Sequence, residues 1–215
     1  MGFLTISKIL LVLIFPVLIF LAVFNLAGFD ENYFIQKFSQ YGIKDASLIS
    51  MHEKILNFVR GSGSELPTEL NEREKQHLID VRKAVNYSAI LLYALIALFI
   101  VLLVISAFTL KVNNYITNFV GKVLVFGGFL TIILAGTLFL MLYFDFSTAF
   151  ENFHLMLFKQ GTYTFDPARE MLVRLYPEQL FMDIGIRISK GVFFASVIFI
   201  LIGIFLVFRP DKKRK

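Results

Sequence analysis

Long uninterrupted runs of apolar residues dominate the pattern along this chain. A helix that crosses a bilayer needs about 20 consecutive apolar residues, and each run is about that long. The predicted spans lie at about residues 9–29, 87–110, 123–144 and 188–208. The first three contain no Asp, Glu, Lys, Arg or His, and the fourth is free of them from Gly191 onward. Because charged groups inside a membrane usually mark ion or proton paths, this pattern argues against a pump or a coupled transporter.

The two long connections between spans mix apolar and polar positions in the periods typical of short helices. In residues 48–59, for example, the large apolar side chains fall on one stripe of a helix. In residues 184–188 isoleucine alternates with other residues, which fits either a short strand or the beginning of the fourth span. We therefore predict an all-α membrane protein: four transmembrane helices and a cap of short helices, with a small strand element as the one alternative.

The charges predict how the spans are oriented. The N-terminus, residues 111–122 and the tail carry a net charge of +7, whereas residues 30–86 and 145–190 together carry −2. Basic residues are concentrated in the cytoplasmic connections of membrane proteins. Both termini are therefore predicted to be cytoplasmic, and residues 30–86 and 145–187 to form an extracytoplasmic cap. The net charge of +5 is explained by this topology and gives no reason to predict nucleic-acid binding.

The composition agrees with a single integral membrane domain over residues 1–215. Hydrophobic residues make up 57% of the chain, and the mean hydropathy is +0.74. The chain contains no cysteine, so neither a disulfide nor a thiol nucleophile enters the argument. Only Lys8 precedes the first apolar run, which is longer than the roughly 7–15 apolar residues of a signal peptide, so we predict an uncleaved anchor.

A first candidate site lies just ahead of the second span. A helix is predicted to begin at Asn71, and along it Glu74, His77 and Asp80 follow one another at intervals of three. A carboxylate one turn before or after the imidazole can hold a ring nitrogen and fix the tautomer of His77. An ordinary charged surface helix shows the same spacing.

A second candidate site follows the third span. His154 lies among Phe150, Phe153 and Phe158, which recur near helical spacing. The environment readily shifts the pKa of an imidazole in such a setting, which marks it as a candidate site. An aromatic belt at the membrane interface fits the same pattern. His52, in contrast, lies off the apolar stripe of its helix and is predicted to be a solvated surface histidine.

The topology predicts that the two candidate sites are one. The connection at residues 111–122 is short, so the second and third spans should be antiparallel neighbours with adjacent outer ends. His77 precedes one of these spans and His154 follows the other. We expect one imidazole to act as a general base, held by Asp80 or Glu74 if it is His77, and the other to stabilise an oxyanion or protonate a leaving oxygen, with direct nucleophilic attack as the alternative role. The sequence does not decide which histidine takes which role.

Three motifs occur in order on this topology: Glu74-x-x-His77-x-x-Asp80-Val81, then Phe150-x-x-Phe153-His154, then Phe165-Asp166-Pro167 followed by Tyr176-Pro177-Glu178-x-x-Phe181. Together they resemble the lipoprotein intramolecular transacylase family of bacterial membrane proteins over nearly the whole chain. The departures from the family pattern are local. Tyr163 stands where the family has a Trp-rich signature, and Leu78 stands where methionine follows the first histidine.

The resemblance implies an acyl transfer at the outer leaflet of the cell membrane. An acyl chain leaves the sn-2 position of a diacylglyceryl-modified N-terminal cysteine and moves to the α-amino group of that cysteine, giving a lyso-form lipoprotein. The partners are then the diacylated lipoprotein N-terminus and membrane lipid, with no cofactor, no metal and a monomeric enzyme. The expected catalytic residues are His77, His154, Asp80 and Glu74.

Five further residues are expected to bind the substrate. We expect Tyr163 and Tyr176 at the level of the lipid headgroups, where an amphipathic ring is favoured. One phenol would donate to the carbonyl oxygen in the transition state, and Arg174 would contact a phosphate or a carboxylate. The aromatic side chains expected beside them are Phe150 and Phe153.

Two other classes of function stay open at this level. A membrane hydrolase, in particular a metal-dependent one, would use His77 and His154 with Asp80 or Asp145 as ligands. The other alternative is a non-enzymatic assembly or transport subunit, although the uncharged spans offer little for a polar path.

Overall fold

The computed structural model describes residues 2–111, 113–159 and 161–209, without the side chains of residues 113 and 114, and the basic tail used in the charge argument lies outside this part from residue 210 onward. All regular structure within the described residues is α-helical. The helices are α1 (Phe3–Ala27), α2 (Glu31–Gln40), α3 (Ala46–Arg60), α4 (Glu72–Leu110), α5 (Asn113–Phe144), α6 (Phe146–Leu157), α7 (Met171–Leu175) and α8 (Glu178–Phe208). The predicted all-α fold is confirmed. The strand alternative at residues 184–188 is wrong, because these residues belong to the uninterrupted helix α8.

Four of the described helices, α1, α4, α5 and α8, are long and apolar enough to cross a membrane. The chain is therefore a multi-pass membrane protein with four transmembrane helices. Helices α4 and α5 begin well before the apolar runs at residues 87–110 and 123–144, at Glu72 and Asn113. The polar segment predicted to begin a helix at Asn71 and the apolar run after residue 87 thus form one continuous helix, as expected for a helix that runs into the second span.

The chain divides into two compact units. The first contains α1 up to Val23, α4 from Leu91, α5 up to Phe139 and α8 from Ile188. Small residues let its helices approach closely. A Cβ atom added at Gly121 would lie 2.8 Å from the carbonyl oxygen of Gly203, and one added at Gly203 would lie 2.8 Å from the carbonyl oxygen of Gly121. Such close approach is typical of packing between transmembrane helices, where van der Waals contact is the main attraction.

The second unit contains residues 24–90 and 140–187 and is built around its own apolar core. Its short helices begin at aspartates whose carboxylates accept backbone N–H groups of the first turn: Asp30 for α2, Asp45 for α3 and Asp145 for α6. Gly61 ends α3 in the left-handed conformation, with φ of 82°. The buried core of this unit consists of Phe34, Phe38, Met51, Ile55, Phe58, Val59, Leu70, Leu78, Leu172, Leu175 and Leu180.

Ion pairs hold α2 against the beginning of α8 within this unit. Nζ of Lys37 lies 2.8 Å from Oδ2 of Asp183, and Nη2 of Arg187 lies 2.6 Å from Oδ2 of Asp30. The guanidinium of Arg187 also lies 4.2 Å from the ring centroid of Tyr33. These partly buried pairs fix the beginning of α8, since the stacking of the Arg187 guanidinium on the Tyr33 ring adds direction to its attraction for Asp30.

The predicted exposure of His52 is wrong. Its side chain is 1% exposed, and Nδ1 lies 2.9 Å from the hydroxyl oxygen of Tyr176. Rings of Phe34 and Phe38 lie 4.8 and 4.9 Å from the imidazole, between centroids. Burial lowers the pKa of His52 to about 4, so the ring is neutral at pH 7. The core of this unit covers a wider arc of α3 than the single stripe read from the sequence, and His52 lies inside that arc.

His52→Ala is accordingly expected to destabilise the protein at pH 7.5 by about 2–3 kcal/mol, because it leaves a cavity and removes the partner of Tyr176. Thermal unfolding of purified protein in detergent measures this, with Glu53→Ala on the exposed side of α3 as the matched control. At lower pH the difference should shrink. The unfolded chain takes up a proton on His52 below about pH 6.5 and the folded chain only near pH 4, so the wild-type stabilisation is lost across that window. Equal melting temperatures of His52→Ala and wild type at pH 7.5 would contradict the buried placement.

Candidate active site

Two imidazoles that are 77 residues apart in sequence lie side by side in the second unit. His77 comes from the polar beginning of α4 and His154 from α6. Their ring centroids are 6.4 Å apart, and the ring planes differ by 21°. We call His77 and His154 the histidine pair. One small group placed between the rings can contact both.

The tautomer of His154 is set by its own helix. Nδ1 lies 2.8 Å from the carbonyl oxygen of Phe150, and since a carbonyl only accepts, Nδ1 must carry the proton. The lone pair is then on Nε2, which has no hydrogen-bond partner among the described residues. Burial lowers the pKa of His154, and the hydrogen bond to Phe150 opposes that shift. His154 is therefore neutral at pH 7, with one nitrogen prepared to accept a proton.

Burial perturbs His77 strongly. Burial and the neighbouring His154 together lower its pKa to about 4, and the negative charge of Asp80 acts in the opposite direction. Nδ1 of His77 is enclosed and has no hydrogen-bond partner in the described part of the chain. An enclosed polar nitrogen without a partner is costly, and a group bound at the site would relieve that cost.

The carboxylate partner expected for His77 is not found among the residues that the structure describes. Asp80 instead accepts hydrogen bonds from Nζ of Lys83 at 2.9 Å and from the Gln76 amide at 3.5 Å. It lies one turn from His77 and acts on it only through its charge. The i+3 spacing read from the sequence is real, but the carboxylate turns towards the lysine one turn further along α4.

Glu74 does not hold His77 either. Its side chain is 1% exposed, and Oε2 accepts the backbone N–H of Asn71 at 2.9 Å. The Asn71 side chain returns the interaction by accepting the N–H of Glu74, also at 2.9 Å, which closes a reciprocal cap on α4. The other oxygen, Oε1, accepts the N–H of Leu172 at 2.8 Å. Both carboxylate oxygens accept backbone N–H groups. Glu74 therefore fixes the position of α4 and does not fix the tautomer of His77.

Aromatic rings enclose the histidine pair. His154 has the rings of Phe150, Phe153 and Tyr163 at centroid distances of 4.1, 5.7 and 4.9 Å. Phe158 lies 5.0 Å from His77 and 5.6 Å from His154, and Phe165 lies 5.4 Å from His77. We call these five rings the aromatic wall. They keep water away from the two imidazoles, and this desolvation lowers the pKa values of His77 and His154.

The other two expected substrate contacts lie elsewhere in the second unit. The Tyr176 hydroxyl is next to His52, and burial raises the pKa of Tyr176. Arg174 is exposed, and its Nη1 lies 3.5 Å from the sulfur of Met171. Neither side chain reaches the histidine pair through a hydrogen bond in the described part of the chain.

The ligand set of a metal-dependent hydrolase is not assembled in the described residues. No group of three or more His, Cys, Asp or Glu side chains there is arranged to hold a metal ion. Asp145, one of the carboxylates considered for such a set, accepts the N–H of Thr148 at 3.2 Å as the cap of α6.

Two charged residues near the site were missed by sequence reasoning. Arg73 donates to the carbonyl oxygens of Gly161, at 3.1 Å, and of Thr164. Glu170 is 6% exposed and lies 3.6 Å from Arg73 between Oε1 and Nη1. In the sequence Arg73 and Glu170 both belong to the charged beginnings of predicted helices, which start at Asn71 and at residue 168, so neither carries a signal that distinguishes it from solvated charges.

The fold and the site together define a multi-pass membrane protein with four transmembrane helices and a desolvated histidine pair in its second unit. A family model for the lipoprotein intramolecular transacylase Lit matches residues 3–181, and the chain belongs to this family. It is therefore a membrane transacylase.

Solved structures agree with the fold. The integral membrane Lit of Bacillus cereus is 21% identical, with a TM-score of 0.76 over 93% of this chain and 95% of that one. Two of its mutants, a histidine-to-arginine and a histidine-to-alanine substitution, align with TM-scores of 0.70. A comparison with curated proteins found no match.

Proposed function

We propose that this transacylase moves the sn-2 acyl chain of a diacylglyceryl-cysteine lipoprotein to the α-amino group of the same cysteine, giving the lyso form. The observation that carries the proposal is the histidine pair: two neutral, desolvated imidazoles 6.4 Å apart, one of them with a fixed tautomer. Ester aminolysis needs one group that accepts a proton from nitrogen and one that supplies a proton to oxygen. Two adjacent imidazoles can do both.

His154 is proposed as the general base. An α-amino group has a pKa of about 7.7–8.0 and is mostly protonated at pH 7, so it is not a nucleophile until a proton is removed. Nε2 of His154 can take that proton because Nδ1–H is already committed to Phe150. The opposing effect of this hydrogen bond also keeps His154 more basic than burial alone would allow.

His77 is proposed as the group that stabilises the oxyanion and the leaving oxygen. The amine nitrogen bonds to the acyl carbon, the ester C–O bond breaks, and the proton that His154 takes from the attacking nitrogen passes to the glycerol oxygen, while His77 donates a hydrogen bond to the oxyanion and the leaving oxygen. The ester is exchanged for an amide, so no oxidant or nucleotide is required. With its pKa lowered to about 4, His77 is a neutral imidazole and donates without adding a positive charge beside the incoming amine.

The aromatic wall is proposed to receive the reacting part of the substrate. Phe150 and Phe153 flank His154, and the ring of Tyr163 lies against the same imidazole. This placement favours Tyr163 over Tyr176 as a contact to the carbonyl oxygen, because the Tyr176 hydroxyl is next to His52. Tyr163→Phe removes only the hydroxyl, and unchanged turnover in this variant would rule that contact out.

We further propose that both termini are cytoplasmic and that the histidine pair faces the extracytoplasmic side, where diacylated lipoproteins and membrane lipid meet the enzyme as a monomer. The uneven charge distribution supports this orientation. Because the chain has no cysteine, single cysteines report on a clean background. We expect an impermeant thiol reagent to label Gly63→Cys and Thr162→Cys in intact cells but not Lys111→Cys. External labelling of Lys111→Cys would reverse the orientation.

Mass spectrometry of lipoprotein N-termini tests the function in cells. In cells that make only diacylated lipoproteins, expression of this chain should produce N-acylated lipoproteins with a single remaining glyceryl ester. Lipoproteins that stay diacylated while the protein accumulates in the membrane would contradict the proposal. A free α-amine on a lipoprotein that has lost one ester chain would support a hydrolase instead.

A further inference from the structure

The loop between α6 and α7 supplies part of the aromatic wall. We call residues 161–170 the aromatic loop. Its Tyr163 lies against His154 and its Phe165 against His77, at centroid distances of 4.9 and 5.4 Å. The aromatic loop lies outside the helices, so its position depends on the side chains that contact it from neighbouring segments.

Arg73, on the first turn of α4, holds the aromatic loop at two points. Its Nη2 donates to the carbonyl oxygens of Gly161 and Thr164, on either side of Tyr163. Its guanidinium lies 5.3 Å from the ring centroid of Phe165. The planar guanidinium presents several donors in fixed directions, so one side chain can fix two carbonyls and one ring at once.

Glu170 holds the other end of the loop. Oε2 accepts the backbone N–H of Asp166 at 2.6 Å, and Oε1 accepts the Asn71 amide at 3.4 Å and lies 3.6 Å from Nη1 of Arg73. Glu170 is nearly fully buried, and a buried carboxylate is stable only when it is paired in this way. Arg73 and Glu170 therefore form one connected latch between α4 and the aromatic loop.

We propose that this latch determines which nucleophile receives the acyl chain, by keeping water away from the histidine pair. The inference rests on the proposed transfer to an α-amine. The same two imidazoles would also activate water: its oxygen would bond to the acyl carbon, the ester C–O bond would break, and one water proton would end on the glycerol oxygen. A closed site prevents this side reaction. Arg73 and Glu170 are thus positioning residues, which act through Tyr163 and Phe165.

The test measures two products from one reaction. Purified protein is incubated with a synthetic diacylglyceryl-cysteine lipopeptide, and the N-acylated lyso product and free fatty acid are both quantified. For the wild type we expect N-acylated product with little fatty acid. Arg73→Ala should raise the ratio of fatty acid to amide about tenfold, a difference of ~1.4 kcal/mol between the two barriers. Arg73→Lys, which keeps the charge but lacks the planar fork, should fall between them.

Arg169→Ala is the matched control, because Arg169 lies on the same loop but is exposed and paired only with Asp166, at 3.7 Å, among the described residues. Its product ratio should equal that of the wild type. The ratio comes from folded molecules alone, so partial unfolding of a variant does not change it. Glu170→Gln, which removes one charge without changing the shape, gives a second route should Arg73→Ala not fold.

Wild-type ratios in Arg73→Lys and Glu170→Gln, together with the wild-type ratio in any folded Arg73→Ala, would overturn the latch. They would leave the acyl transfer itself intact. Absence of N-acylated product from the wild-type protein would overturn the proposed function instead.

Discussion

Replacing either member of the histidine pair is expected to lower the rate of lyso-lipoprotein formation by about 10²–10⁴, the usual effect of losing a positioned general acid or base. His77→Ala and His154→Ala should still insert and accumulate, because neither imidazole donates to or accepts from a residue outside its own helix among the described residues. Turnover of the lipopeptide per folded molecule measures the effect. Wild-type turnover in either variant would contradict the paired mechanism.

A more selective variant of His154 keeps its structural hydrogen bond and removes its proton-accepting nitrogen. Asparagine places an amide N–H near the position of Nδ1, so His154→Asn can keep the hydrogen bond to the Phe150 carbonyl while removing Nε2. It should be as inactive as His154→Ala and more stable. His52→Phe is the control for a histidine outside the site, and we expect its turnover per folded molecule to match the wild type.

Replacing Glu74 is expected to have the second largest effect, on folding rather than on chemistry. Glu74→Ala leaves the buried backbone N–H of Leu172 and the partly buried N–H of Asn71 without their acceptor. An unpaired buried group costs about 1–3 kcal/mol and a lost helix cap about 0.5–2 kcal/mol, so we expect a loss of about 1.5–5 kcal/mol in the free energy of unfolding. The melting temperature and the yield of membrane-inserted protein report this loss.

The matched control is Glu72→Ala, since the Glu72 side chain is 91% exposed in the same turn and pairs only with Lys75 among the described residues. Its stability should stay within about 0.5 kcal/mol of the wild type. A Glu74→Ala protein that melts like the wild type but has lost turnover would instead restore the catalytic role read from the sequence.

The four spans and the pairing of His77 with His154 could be predicted from the sequence because each prediction rests on a strong local signal. Twenty apolar residues without a charge can form little else than a span, and a short connection brings the outer ends of two spans together. That geometry places His77 and His154 at the same level whatever the details of side-chain packing. The aromatic surroundings of His154 followed from the spacing of Phe150 and Phe153 along one helix.

The hydrogen-bond partners of individual side chains could not be predicted, because they depend on contacts between residues that are distant in sequence. The carboxylate of Glu74 could turn towards His77 or towards a backbone N–H, and the choice is made by Leu172, 98 residues away. The sequence predicts a solvated His52 because a single apolar stripe is visible on α3, whereas Tyr176 and the rings of α2 bury a wider arc of that helix. The contact between Arg73 and Glu170 likewise joins two segments whose distance no local pattern encodes.

The most direct test of the account uses a lipopeptide whose two ester chains differ, a saturated chain at sn-1 and an unsaturated chain at sn-2. Tandem mass spectrometry of the product locates each chain after incubation with the purified protein. We predict that the unsaturated chain becomes an amide on the cysteine nitrogen while the saturated chain stays on the glyceryl group. His154→Asn should abolish this product. A saturated chain on the nitrogen, or release of the unsaturated fatty acid with the α-amine left free, would contradict it.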